Sequence, residues 1–318
     1  MGYRNIFIEN NCKLSIKNSN LVITTNCENS VPLEDINAII IDNRMCYLST
    51  YLLDSITKND IILFICNEKH LPTSIVLGTN SYCRQLKRIK QQLNLSKPIQ
   101  KRMWQDIIVR KVQNQSKCLD YLNINSDNIL ELLSKSVQSG DSTNVEANAA
   151  AIYFKLLYGS HFTRRSDSII NSALNYGYAI VRGMIARSLV SYGFETSIGI
   201  FHHNELNNFN LADDIIECFR PIVDLYITTI IPNNADEMNS QIKREIFNVT
   251  NQLVIINGKK YNIQNAIDYV VMSLSKSFSE GKNYLVLPEI IPLQEYSFIW
   301  LRRYYGIYEI NSYVWFAS

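Results

Sequence analysis

The chain changes its hydrophobic period near Gly78, and that change constrains the fold more than any other feature. Over residues 5–77 the apolar residues come in short runs, NIFIEN, KLSIK, LVITT, INAIIID, IILFIC and SIVLG, all rich in Ile, Val and Leu. Runs of this length and composition fit strands. KLSIK and LVITT flank Asn18-Ser19-Asn20, residues that accept tight-turn backbone, so the pair reads as a hairpin. One segment departs from the pattern: in LSTYLLDSITKN, Leu48, Tyr51, Leu52 and Ile56 lie near one face at a period of 3.6, and Asn59-Asp60 breaks the helix. After Gly78 the stretches MWQDIIVRKVQNQSKCLDYL and NAAAIYFKLLYG are poor in Gly and Pro, with apolar residues recurring at three and four. Helices are expected there. The expected class is α+β, a small N-terminal β domain followed by a larger all-helical one.

At 318 residues and 47% hydrophobic composition, each part can bury a core of its own. The seven cysteines, Cys12, Cys27, Cys46, Cys66, Cys83, Cys118 and Cys218, are odd in number, scattered and without a C-x-x-C pair. Free thiols in a reducing compartment fit this better than disulfides or a zinc site. No apolar run reaches the length of a signal sequence or a membrane span, and Met1-Gly2 is followed by Ile6 where an acylation signal needs Ser or Thr. A cytoplasmic location without membrane association is the expectation.

The net charge of +2 does not announce a nucleic-acid binder, but its distribution says more. Residues 81–117 carry ten Lys and Arg against the single acid Asp106, a local excess of +9. A solvated helix face accounts for such a run as well as a phosphate-contacting surface does. The near absence of interleaved acids argues against ordinary salt-bridge patterning. On the second reading Arg84, Lys87, Arg88 and Lys90 contact DNA phosphates.

Four residues in the helical part could carry chemistry: Glu146 in NVEANAAAIYF, His202 in GIFHHNE, and Asp214 and Glu217 in LADDIIECFRP. Asp214 and Glu217 are three apart, which puts both carboxylates on one face of a helix. Glu146 precedes the small-residue run 147–151, which would let another helix come close. Carboxylates with one imidazole and no thiolate suit Mg²⁺ or Mn²⁺ better than zinc. Taken singly, each acid also reads as a cap or a solvated residue, and the histidine as a packed one.

The segments EANAAAIYF, NSALNYGYAIVR, GIFH and LADDIIECFRPIVD, in that order and separation, resemble the hallmark segments of the CRISPR-associated spacer-acquisition integrase family. LEDINAIIIDN and CNEKHLPTSIVLG look like the β domain of its type II branch, so the resemblance spans about residues 1–290. It implies metal ligands at Glu146, at His202 as the histidine of G-x-x-H, and at Glu217, with Asp214 as a supporting acid and Mg²⁺ or Mn²⁺ as cofactor. Tyr176 and Arg182 of NYGYAIVR are candidates for approaching DNA, with core packing and a helix-surface cation as the alternative.

The resemblance further implies residues 1–78 as a homodimerising β domain and 96–290 as the catalytic domain, joined by a basic linker over 79–95; it stops near Pro288-Glu289, which leaves 291–318 as an aromatic-rich extension outside it. Two dimers would flank a dimer of a small ferredoxin-like partner, holding double-stranded spacer and repeat-leader DNA, with further type II Cas proteins as additional partners. Each DNA 3′-hydroxyl would attack an array phosphodiester. Two other classes stay open: a stand-alone metal-dependent nuclease for branched DNA and a catalytically silent DNA-binding scaffold.

Overall fold

The structure is a computed structural model and describes residues 4–78, 84–231, 237–293 and 313–314. The described residues form two compact units, one of residues 4–78 with 313–314 and one of residues 84–231 and 237–293.

The first unit contains β1 (Arg4–Ile8), β2 (Cys12–Lys17), β3 (Asn20–Thr24), β4 (Glu28–Pro32), β5 (Ile36–Ile41), β6 (Cys46–Leu48), α1 (Thr50–Lys58), β7 (Ile62–Cys66) and β8 (Pro72–Val76). All six expected strands are there. The two unforeseen ones are β4, whose ENSVP is mostly polar, and β6, only three residues long. One sheet runs β4-β3-β2-β6. In the other, β1, β5 and β7 are parallel, β8 is antiparallel, and the two-residue strand Tyr313–Val314 pairs in parallel with β1. The turn between β2 and β3 holds Asn18 and Ser19 at φ 50° and 60°, the left-handed pair that a two-residue hairpin loop needs.

A single apolar cluster joins Ile6, Ile39, Ile41 and Leu63 of one sheet to Leu14, Leu21, Ile23 and Val31 of the other. All six residues of β5, INAIII, are buried, so it is a strand covered on both faces, with its one polar side chain, Asn37, donating to Asn5 Oδ1. The α1 helix starts where Ser49 Oγ accepts from the Leu52 amide. Its buried face is Leu52, Ser55 and Ile56, at i, i+3 and i+4. Tyr51, expected on that face, is exposed because it stands one residue, about 100°, away from Leu52, and Leu48 belongs to β6.

The second unit contains α2 (Gln85–Asn94), α3 (Lys97–Tyr121), α4 (Ile129–Ser136), α5 (Val145–Tyr158), α6 (Ile169–Ser191), α7 (Asn210–Ile216), α8 (Arg220–Ile230), α9 (Ser240–Phe247), β9 (Leu253–Ile256), β10 (Lys259–Asn262), α10 (Ile263–Glu280) and β11 (Glu289–Ile290). The class is α+β as expected, but this unit also carries a small antiparallel sheet, β10-β9-β11. Its hairpin turns at Asn257-Gly258, both left-handed. The α3 helix packs against α4, α5, α8 and β11, so its buried residues spread around the helix instead of forming one stripe. On α6, a Cβ at Gly177 would stand 2.7 Å from Val223 Cγ1 of α8. The bare glycine in NYGY is what lets these two helices close.

One boundary differs from expectation. Residues 85–94, read as linker, are helix α2, and its Gln92 bonds Glu195 and Ile198 of the loop after α6. Of the aromatic-rich extension, Phe298, Trp300, Tyr304, Tyr305, Tyr308, Trp315 and Phe316 lie outside the described residues, as does Cys83. Among the described residues six cysteines are free, and no helix is long and apolar enough to cross a membrane.

The interior of the second unit holds a titratable carboxyl, Asp224 on α8, that takes a hydrogen bond from Tyr178. Burial pushes it up to about 6, against the bonds from Tyr178 and Tyr153 and the nearby Arg164 and Arg220 guanidinium groups. Tyr158 and Cys118 also face it, and neither carries charge in this range. The native chain therefore keeps a proton that the unfolded chain gives up, and stability from this group declines as pH rises from about 4 through about 6, by about 3 kcal/mol. Asp224→Asn removes the titration. Thermal unfolding from pH 4.5 to 7.5 should show the variant gaining on the parent as pH rises; a constant difference contradicts the assignment.

Candidate metal centre and nucleic-acid interface

The site is built on α3. Two residues seven apart on this helix, Trp104 and Lys111, are buried two turns from one another. Trp104 stacks on Phe201 with ring centroids 4.2 Å apart and planes within 2°, and meets His202 edge-on at 5.5 Å. This holds the GIFH loop against the helix.

The same loop wraps Asp214 of α7, which is fully buried. Its carboxylate accepts from the backbone amides of Ile200, Phe201 and His202 and bonds His202 Nδ1 at 2.7 Å. A Cβ at Gly199 would lie 2.3 Å from the His202 carbonyl and 2.8 Å from Asp214 Oδ2, so only glycine fits there. With Nδ1 bonded to Asp214, the nitrogen left for a ligand is Nε2, in the carboxylate–imidazole arrangement that orients metal-binding histidines. The bond to Asp214 pushes the His202 imidazole upward against its burial, with Glu217 and Glu146 adding in the same direction.

Glu146 lies in the first turn of α5, where Asp141 takes the amides of Val145 and Glu146 at 2.9 and 3.0 Å. Of the small-residue run that follows, Ala149 is the fully buried member, in a stripe with Val145, Tyr153 and Leu157. Glu217 sits at the end of α7, just before α8. Its Oε2 takes the Lys111 ammonium at 2.5 Å and its Oε1 the Arg220 Nε at 2.8 Å. Lys111 also donates to Glu146 Oε1 at 2.6 Å. Burial alone would raise the Glu217 carboxyl; Arg220 and Lys111 outweigh it and hold it down at about 2.

The expectation that Asp214 and Glu217 share an ion is corrected by this arrangement. Asp214 is turned toward the 200–202 loop with both oxygens committed, so it positions His202 and is not a ligand. Glu146, Glu217 and the free side of His202 remain as donors. Among the described residues no three His, Cys, Asp or Glu side chains form a ready cage; Glu146 and Glu217 converge on the Lys111 ammonium, which stands between them. Two carboxylates already gathered around one cation, beside an oriented imidazole, fit a hard divalent ion such as Mg²⁺ or Mn²⁺. Glu146 and His202 are one-quarter and two-fifths exposed, whereas Glu217 is closed off.

The basic segment divides sharply. Arg88 is buried: its guanidinium donates to the Tyr192 and Ser275 carbonyls and to Ser275 and Ser279 hydroxyls, and it lies over Phe194 at 4.8 Å. It braces α2 against α10 and cannot meet a phosphate. Arg110 and Lys117 pair with Glu289, and Lys111 with the acid pair. Arg84, Lys87, Lys90, Lys97, Lys101 and Arg102 remain on the surface of α2 and the start of α3. Tyr176 is buried in α6 and is likewise no DNA contact, whereas Arg182 is two-fifths exposed beside Phe209 and Asp213. Arg88→Ala should therefore lower stability by about 2–4 kcal/mol. Replacing Lys87 and Lys90 together should leave stability within about 0.5 kcal/mol and flatten the salt dependence of DNA binding by about one unit per cation. Urea unfolding and binding titrations at several salt concentrations check both.

Residues that sequence reasoning had not placed in the site are Trp104, Lys111 and Arg220. Arg220 lies in the quoted ECFRP segment, and Lys111 is one of the ten cations of residues 81–117.

The family model for CRISPR associated protein Cas1 matches residues 6–260. A CRISPR-associated endonuclease Cas1 of Neisseria meningitidis serogroup C is 39% identical over 303 residues, covering 94% of this chain and all of that one. A casposase bound to integration product shares the fold at a TM-score of 0.72 and 22% identity, over 89% of this chain and 92% of that one. A chain of a Cas6-RT-Cas1–Cas2 complex matches at 0.69 and 18% identity, over 90% of this chain and 36% of that longer one. With the family model matched across most of its length and a full-length relative at this identity, the chain belongs to the Cas1 family of CRISPR-associated proteins.

Proposed function

We propose that this chain is a divalent-metal-dependent DNA integrase that joins the 3′-hydroxyl ends of short duplex DNA to a repeat-spacer array by transesterification. The observation that carries the reading is the convergence of Glu146 and Glu217 beside a His202 oriented by buried Asp214. A Mg²⁺ or Mn²⁺ ion held by Glu146, Glu217 and His202 would polarise the scissile phosphate and offset charge as it develops. The protein's own part is positional. Asp214 holds the imidazole in one tautomer and orientation, Arg220 keeps Glu217 ionised and aimed, and the Trp104–Phe201 stack fixes the loop. No side chain is needed as nucleophile, because the attacking group is the DNA 3′-hydroxyl. The exposed cations of α2 and α3 would position the duplex without reading its sequence.

The relative from Neisseria, a CRISPR-associated endonuclease, supports an enzyme acting on nucleic acid, and the Cas6-RT-Cas1–Cas2 neighbour supports a protein partner. Homodimerisation through the β unit, with two dimers flanking that partner, belongs to the same proposal. Incubating purified protein with the partner, duplex DNA and an array plasmid in Mn²⁺ tests it. Array-joined product that requires the partner is expected. Cutting of branched DNA by the chain alone, with no joined product, would favour a nuclease, and DNA binding indifferent to EDTA without strand transfer would favour a scaffold.

A further inference from the structure

The Lys111 ammonium occupies the place that the proposed metal site would need. It donates to Glu146 Oε1 at 2.6 Å and Glu217 Oε2 at 2.5 Å from a side chain only 8% exposed. The other Glu217 oxygen is held by Arg220. Every oxygen Glu217 can offer is thus already paired with a cation. A divalent ion binding this pair takes oxygens at about 2.0–2.2 Å, which leaves the ammonium next to a like charge at a distance of a few ångströms. Removing the ammonium without a replacement is equally unfavourable, because Glu217 is 93% buried and its neighbour Glu146 carries the same charge.

The geometry points to Lys111 as a placeholder cation: it holds Glu146 and Glu217 together in the metal-free chain and yields their oxygens when a divalent ion arrives. This rests on the metal-site reading above. Lysine suits such a role, since its ammonium is a compact charge on a flexible four-carbon stem, whereas a guanidinium fork would be harder to dislodge. Of the side chains around it, Glu146 and His202 are partly exposed, so the ammonium would leave on their side. A displaced ammonium would emerge on the face where a DNA phosphate approaches. Lys111 is accordingly a positioning residue of the metal-free state, and the acids are preorganised before the ion binds.

The test uses the full chain and Mn²⁺ alone, without DNA. Mn²⁺ affinity is measured by electron paramagnetic resonance of the free ion for the parent, Lys111→Gln and Glu146→Gln. In parallel, amine acylation at Lys111 in the parent is followed by mass spectrometry with and without Mn²⁺, a readout that needs no variant to fold. We expect Lys111→Gln to bind Mn²⁺ at least tenfold more tightly than the parent, Glu146→Gln to lose binding, and acylation of Lys111 to rise severalfold on Mn²⁺ addition. Failure of the affinity gain or of the acylation rise, with Mn²⁺ still bound by the parent and lost in Glu146→Gln, overturns the placeholder role and leaves the metal site standing. Absence of Mn²⁺ binding in parent and Lys111→Gln alike overturns both.

Discussion

Replacing His202 by Ala is expected to lower the rate of strand transfer by on the order of 10² to 10³, as for loss of other preorganised electrostatic groups. The same change at His203 should stay within about tenfold of the parent, the margin given to a residue outside the site. The two imidazoles are neighbours in sequence but not in role. His202 is bonded through Nδ1 to Asp214 and packed edge-on against Trp104, which leaves Nε2 as the nitrogen available to a ligand. His203 is exposed, and adjacent side chains in extended backbone point to opposite sides. Rates at saturating Mn²⁺, measured after folding has been verified for both variants, decide the matter. A dead His203→Ala beside an active His202→Ala would falsify the assignment.

The second large effect is expected at Asp214 and falls on stability before it falls on chemistry. Three backbone amides and one imidazole converge on this fully buried carboxylate. Asp214→Ala strands all four donors in a closed interior, and a loss of about 3–5 kcal/mol is expected. Asp214→Asn keeps one accepting oxygen but turns an amide donor toward groups that need an acceptor. It should fold, with Mn²⁺ affinity or strand transfer lowered by about 10- to 100-fold, as for other groups that orient a metal-binding histidine. Urea unfolding of the first variant and Mn²⁺ titration of the second are the measurements. An Asp214→Ala protein as stable as the parent would mean that the loop at 199–202 does not depend on this carboxylate.

Much of the fold was legible because period and turn chemistry are local. The Ile-rich runs became strands, and Asn18-Ser19 became the left-handed turn that such residues favour. The Asn257-Gly258 turn carried an equally plain hairpin signal, yet the helical texture on either side of QLVIINGKKYN hid it. For the site, residue identity carried further than geometry. Glu146 and Glu217 meet on the Lys111 ammonium, but the i, i+3 spacing of Asp214 and Glu217 suggested a shared ion, and the structure sends those two side chains to different partners. Spacing fixes the face of a helix, not what the surrounding loops bring to it. The charge run shows the same limit more sharply: a list of Lys and Arg cannot reveal that Arg88 is a buried brace and Lys111 the counter-ion of two acids. Those roles depend on Ser275, Glu146 and Glu217, which are 35 to 187 residues away in the chain.

Glu146, His202 and Glu217 are proposed to act together on a phosphodiester attacked by a DNA 3′-hydroxyl. The most direct measurement of this joint action is a strand-transfer assay in which the incoming duplex is labelled on the strand bearing that hydroxyl, run with Mn²⁺ and the small partner. The label is expected to become covalently joined to array DNA, EDTA to abolish the joining, and Glu146→Gln and Glu217→Gln to abolish it while leaving the protein folded. Label that never enters the array, or joining that survives either substitution, would contradict that joint action.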